Sequence, residues 1–109
     1  MNDLDWHWLT LSQACQRLKS GQSSALELTR DMLRRASALA DQTRCYVHLL
    51  ENDALAEAQK LDDKQAAGEP LGLLHGIPIG IKDLLFTRGL PTASGTMVMQ
   101  DFCPTFDAT

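Results

Sequence analysis

A chain of 109 residues with 44% apolar and 22% charged residues has the composition of one small globular domain with a modest core. Its net charge of −4 argues against nucleic acid or an anionic membrane as a direct partner, and no apolar run approaches the length of a transmembrane span. The stretch Met1 to Thr10 is acidic and aromatic, unlike a secretory signal, and Cys15, Cys45 and Cys103 form no C-x-x-C pair, so a cytoplasmic protein with reduced, buried thiols is expected.

The first regular element is marked by Thr10-Leu-Ser-Gln13, a capping box with Thr10 as N-cap and Gln13 reaching back. Its helix is predicted to run to about Ser20, with Gly21 suited to the position just past the end. Ser24-Ala-Leu-Glu27 is a second capping box, opening a helix to about Ala40 whose apolar stripe is Leu28, Met32, Ala36 and Leu39. Residues Cys45 to Leu50 are apolar and partly β-branched, which predicts a short strand. Asn52 or Asp53 is expected to cap a third helix through about Ala67, with Ala54, Ala58 and Leu61 on its apolar face and Gly68-Glu-Pro70 ending it. These helices read as packing elements without chemistry. No repeat, low-complexity segment or domain boundary breaks the chain.

Beyond Gly68 the character changes: all four prolines lie there, with most of the glycines. Such punctuation marks a backbone that turns or passes close to something. Leu74 to Asp83 reads LHGIPIGIKD, predicting a strand with Ile77, Ile79 and Ile81 on one face and Pro78, Gly80 and Lys82 on the other. The isoleucine face belongs against a core. The other face has little side-chain bulk before Lys82, leaving room for a backbone or a ligand. An amine held there loses hydration, which favours its neutral, basic form. A lone lysine ending a strand is more often a solvated charge; the neighbours Gly76, Pro78, Gly80, Leu84, Leu85 and Phe86 shift the balance. Residues 87–92 form a loop in this reading, and Thr96 to Gln100 start a further helix.

The run Leu74 to Thr96 resembles the start of the amidase signature family of amide hydrolases. The family pattern G-[IV]-P-x-x-x-K-D followed by T-x-G-[LV]-x-T-x-x-G-[ST] is met by Gly76, Ile77, Pro78, Lys82 and Asp83, then by Thr87, Gly89, Leu90, Thr92, Gly95 and Thr96. Phe106-Asp107-Ala108-Thr109 is similar to the family's next landmark. The resemblance implies an α/β fold with a mixed sheet flanked by helices. This chain is then the N-terminal portion of a single domain: residues 1–68 the mostly helical periphery, residues 69–109 the first core strands and the loops bearing the catalytic lysine. It also implies hydrolysis of carboxylic amides by a Ser–Ser–Lys triad, with a nucleophilic serine, a second serine beside a cis peptide bond, and Lys82 as the neutral base. Both serines are expected past Thr109, in a Gly/Ser-rich segment that the chain lacks. The chain alone is therefore expected to be inactive, without the groups that would bind an oxyanion.

No metal and no organic cofactor is expected: the family uses none, and His7, His48 and His75 have no ligand spacing. His75 is better read as a structural, hydrogen-bonded side chain. Thr92, Ser94, Gly95 and Thr96 are candidates for a polar pocket near the site, or for a turn. Ser94 lacks a nucleophile's glycine-framed elbow. Asp83 is expected to serve the structure, since alternation points it away from Lys82, whose base role a close carboxylate would defeat. A Schiff-base lysine leaves the threonine–glycine continuation unexplained. A phosphate loop lacks the required glycine spacing and hydroxyl. Partners implied are a small-molecule amide for the full-length protein, a homodimer of that protein, or self-association of the shorter chain through an apolar strand edge. Two alternatives stand beside the amidase: the A subunit of a glutamine-dependent amidotransferase, and a truncated, non-catalytic interaction module.

Overall fold

Three helices account for nearly all the regular structure in the computed structural model, which describes residues 5–109. A 3-10 turn, Trp6–Trp8, precedes α1 (Leu11–Lys19), α2 (Ala25–Thr43) and α3 (Glu51–Ala66). The chain divides into two units, one ending at Pro78 and the other running from Ile79 to Thr109.

Both expected capping boxes are present. The Thr10 hydroxyl accepts from the Gln13 amide at 3.3 Å, and Gln13 Oε1 accepts from the Thr10 amide at 2.8 Å. At α2 the Ser24 hydroxyl accepts from Glu27 N–H at 3.0 Å, while Glu27 Oε2 accepts from Ser24 N–H at 2.9 Å. Each cap satisfies helix amides that would otherwise lack partners, a contribution of about 1 kcal/mol. Gly21 and Gly68 follow α1 and α3 with φ of +74°, the left-handed geometry that closes a helix. The end of α2 lies three residues beyond expectation, at Thr43, because Arg44 takes the left-handed position itself (φ 48°).

The first unit's core joins Trp6, Ala14, Leu18 and Leu28, with Leu9, Met32 and Ile77 packed against it. Leu18 is fully buried, and burial of one such side chain contributes about 1.5–3 kcal/mol. Leu28 is the buried end of the expected α2 stripe; Met32, Ala36 and Leu39 are half-buried. Helix α2 packs on α3, whose Ala58 is buried and whose Ala54 and Leu61 are half-buried, as the apolar pattern requires. Two side chains of α3 tie the helices together. Asp62 accepts from the amides of Ala25 and Leu26 at 2.7 and 3.0 Å, and Gln65 Nε2 donates to the Leu18 carbonyl at 2.9 Å. The start of α2 and the end of α1 are thus both held by α3.

Several expectations are corrected. No strand exists among the described residues, so the mixed sheet is not formed here. Residues 45–50 are irregular and mostly exposed, and 77–81 are irregular as well. Alternation encodes which face a strand would bury, but a strand needs a neighbour for its N–H and C=O groups, and neither segment has one. The N-cap of α3 is Leu50, which makes no side-chain cap bond, rather than Asn52 or Asp53. Residues 96–100 form turns instead of a helix. Cys45 and Cys103 are exposed, not buried, while Cys15 is half-buried in α1. The first four residues of the acidic start lie outside the described residues.

Candidate functional site

The second unit is a set of loops joined by backbone and carboxylate hydrogen bonds. The Thr92 amide donates to the Phe102 carbonyl at 2.8 Å, and the Gly89 amide to Pro104 at 2.9 Å. Asp107 Oδ1 accepts from Arg88 N–H at 2.8 Å, and the Ala108 amide donates to the Phe86 carbonyl at 2.7 Å. The Phe86 ring meets Phe102 and Phe106 at centroid distances of 5.4 and 5.6 Å in tilted, edge-on geometry. The stretch around Asp107 therefore folds back onto the loop that follows Lys82.

Lys82 is exposed, and no ion pair engages it among the described residues. The apolar enclosure expected around its amine is not supplied by these residues. Of the three isoleucines, Ile77 reaches the core of the first unit, whereas Ile79 and Ile81 are 67% and 62% exposed. From Ile79 to Ile81 the backbone makes no hydrogen bond to other backbone among the described residues. Order resumes at Lys82, whose carbonyl accepts from Leu85 N–H at 3.0 Å, and at Asp83.

Asp83 joins the lysine segment to the threonine–glycine loop. Its Oδ1 accepts from the Ala93 amide at 3.0 Å, and its carbonyl accepts from the Ser94 amide at 2.9 Å. The half-buried carboxylate is thereby turned to the loop, the structural role that alternation suggests. Among the four candidate pocket residues, Thr92 is buried, and its hydroxyl donates to the Leu90 carbonyl at 3.4 Å. Ser94 and Gly95 form a left-handed pair with φ of 51° and 73°. The Thr96 hydroxyl donates to Ala93 O and accepts from Met99 N–H, both at 3.3 Å. Thr92 and Thr96 thus close turns, and Ser94 and Gly95 shape the bend that Asp83 holds.

Gly76 and His75 belong to the first unit. A Cβ on Gly76 would stand 2.8 Å from Ala25 Cβ, so this glycine lets the backbone pass the start of α2. His75 is buried, as expected of a structural histidine, but the hydrogen bond expected with it is not found at Nε2, which has no partner among the described residues. No cluster of three or more His, Cys, Asp or Glu side chains able to hold a metal occurs among the described residues, and no described helix is long and apolar enough to cross a membrane.

A family model described as Amidase matches residues 27–109. The A subunit of the glutamyl-tRNA(Gln) amidotransferase of Chloroflexus aggregans is 42% identical over 103 residues, covering 94% of this chain and 21% of that protein. A putative amidase, AmiD, of Mycobacterium tuberculosis is 40% identical over 101 residues, covering 93% and 21%. Two solved structures share the fold. A bacterial aryl acylamidase of the amidase signature enzymes superposes with a TM-score of 0.83 at 23% identity, covering 88% of this chain and 20% of that one. A chain from a vestigial protein complex, described as revealing the evolutionary origins of an s-triazine catabolic enzyme, gives 0.86 at 24% identity, covering 91% and 22%. The chain spans about a fifth of the length of the relatives it matches.

Proposed function

The chain belongs to the Amidase family, the amidase signature enzymes, and on that premise we propose that it is the N-terminal segment of an amide hydrolase and supplies the general base, Lys82. The observation that carries this reading is the place of Lys82: it stands inside the family's matched region, on a backbone anchored at Asp83. The Asp83 carboxylate accepts from the Ala93 amide, and no ion pair engages Lys82 among the described residues.

In the proposed reaction a serine hydroxyl attacks the amide carbonyl while its proton passes, through a second serine, to the Lys82 amine. The tetrahedral intermediate collapses as the proton returns to the leaving nitrogen, which departs as ammonia or an amine and leaves a serine ester. Water then attacks the ester and gives up a proton along the same route; the proton returns to the serine oxygen as the acyl–oxygen bond breaks, and the acid is released. Both serines belong to sequence outside these 109 residues. The lysine segment alone forms no acyl-enzyme.

A second reading is the A subunit of a glutamine-dependent amidotransferase, favoured by the Chloroflexus relative. The two are separated by assaying the polypeptide translated from the whole reading frame that carries this chain. Acetamide, p-nitroacetanilide and glutamine serve as substrates, with ammonia and nitroaniline as readouts. Turnover of the first two supports the amidase. Release of ammonia from glutamine alone supports the amidotransferase reading. No turnover of any, with Lys82→Ala indistinguishable from wild type, removes the hydrolase reading.

A further inference from the structure

We propose that Asp83 is a positioning residue for Lys82, an inference that rests on the hydrolase reading above. A general base works only when its amine meets the proton within a few tenths of an ångström, so the segment bearing it must be fixed. Upstream of Lys82 there is no such fixation among the described residues: Ile79 to Ile81 make no hydrogen bond to other described backbone, and the side chains of Ile79 and Ile81 are exposed. Downstream, three bonds within two residues hold the chain. Lys82 O accepts from Leu85 N–H, Asp83 O from Ser94 N–H, and Asp83 Oδ1 from Ala93 N–H.

The last two bonds form a clamp. Main chain and side chain of one residue take consecutive amides of the opposing loop, which fixes both the position and the rotation of Asp83, the residue that follows Lys82. A single bond would leave rotation free. The clamp works in the other direction as well, because it holds Ala93 and Ser94 at the entry to the left-handed pair Ser94–Gly95. A non-glycine residue at φ 51° costs about 1 kcal/mol and persists where its surroundings enforce it. The Asp83 bonds to Ala93 and Ser94 supply part of that enforcement. They also point the carboxylate at an amide hydrogen instead of at the Lys82 amine, so the lysine has an anchor that is not its ion-pair partner.

The test uses the polypeptide of the whole reading frame with p-nitroacetanilide as probe. Rates are normalised to nucleophile titrated to completion with a fluorophosphonate, so that misfolded molecules do not count. Asp83→Ala is expected to lower kcat per titrated site by about 10²-fold, the effect of an ångström-scale misplacement, with KM changed by less than about threefold. Asp83→Asn keeps an oxygen for the Ala93 amide and is expected to restore most of that loss. Asp83→Glu shifts the carboxylate by one methylene and serves where the alanine variant does not fold; its kcat per site should fall about tenfold. An unchanged kcat per site in Asp83→Ala, or in Asp83→Glu where the alanine variant does not fold, overturns the proposal while the hydrolase reading stands. A loss that Asp83→Asn does not restore overturns it also, since charge rather than the amide bond would then be at work. A wild type without turnover of acetamide, p-nitroacetanilide or glutamine removes the hydrolase reading and this proposal with it.

Discussion

The carboxylate of Asp62 stands 2.7 Å from the amide of Ala25, so that α3 caps the first turn of α2 from 37 residues away. Its other oxygen takes Leu26 N–H at 3.0 Å. An anion at this end also meets the positive pole of the helix dipole. Asp62→Ala is expected to destabilise the chain by about 2 kcal/mol, from two charge-assisted bonds at a half-buried site. Asp62→Asn should recover about half of that loss, keeping one acceptor oxygen. Urea titration followed by helical circular dichroism measures both. A shift below a few tenths of a kcal/mol for Asp62→Ala would mean that Ser24 and Glu27 cap the helix unaided.

Gly76 answers to packing within the first unit. Replacing it with alanine puts a Cβ 2.8 Å from Ala25 Cβ and strains a backbone at φ +76°. The combined expectation is a loss of about 2–4 kcal/mol, from left-handed strain plus overpacking against a helix. The double variant Ala25→Gly with Gly76→Ala relieves the clash and not the strain, so it should recover part of the loss despite the helix cost of the new glycine. Additive losses in the melting curves would show that the two residues are not in contact.

The starts of α1 and α2 were legible because a capping box is local: four consecutive residues contain both of its hydrogen bonds. The Asp62 cap was not, because its partners lie 36 and 37 residues away and no periodicity encodes them. Leu50 as an N-cap without a cap bond leaves no sequence signal at all. Glycine was read as marking close approach, and at Gly76 the approaching group is Ala25. The strands at 45–50 and 77–81 failed for another reason: alternation records a face to bury, while a ladder also needs a second strand. The apolar enclosure expected of the neighbours of Lys82 is not formed among the described residues, and Asp83 takes its structural place through loop amides, not through strand alternation. The Ala93 and Ser94 amides that receive Asp83 needed the fold.

Ile79 and Ile81 present apolar side chains beside backbone groups that no other described backbone pairs, so this irregular segment is open to pairing with a second copy of the chain. The 109-residue chain is expected to self-associate as its concentration rises. Ile79→Lys together with Ile81→Lys should return it toward monomer by placing repelling charges on that segment. Sedimentation velocity over a hundredfold range of concentration reads this directly. A wild-type chain that stays monomeric across the range would mean that the segment is covered in solution.

Lys82 is where a role as base and a role as cation part. Its side chain is exposed, and no ion pair involves it among the described residues, so replacing it should leave the melting temperature within a degree or so of wild type, as for surface substitutions generally. In the polypeptide of the whole reading frame, Lys82→Ala is expected to lower amide turnover by about 10²–10⁴-fold, the span of general-base catalysis. Lys82→Arg is the sharper variant. The guanidinium keeps the positive charge and much of the length, but it does not give up its proton at any working pH. A base role therefore predicts that Lys82→Arg is as inactive as Lys82→Ala. If arginine instead retains most of the rate, the residue acts by its charge on a developing anion, and the proton must leave the serine by another route.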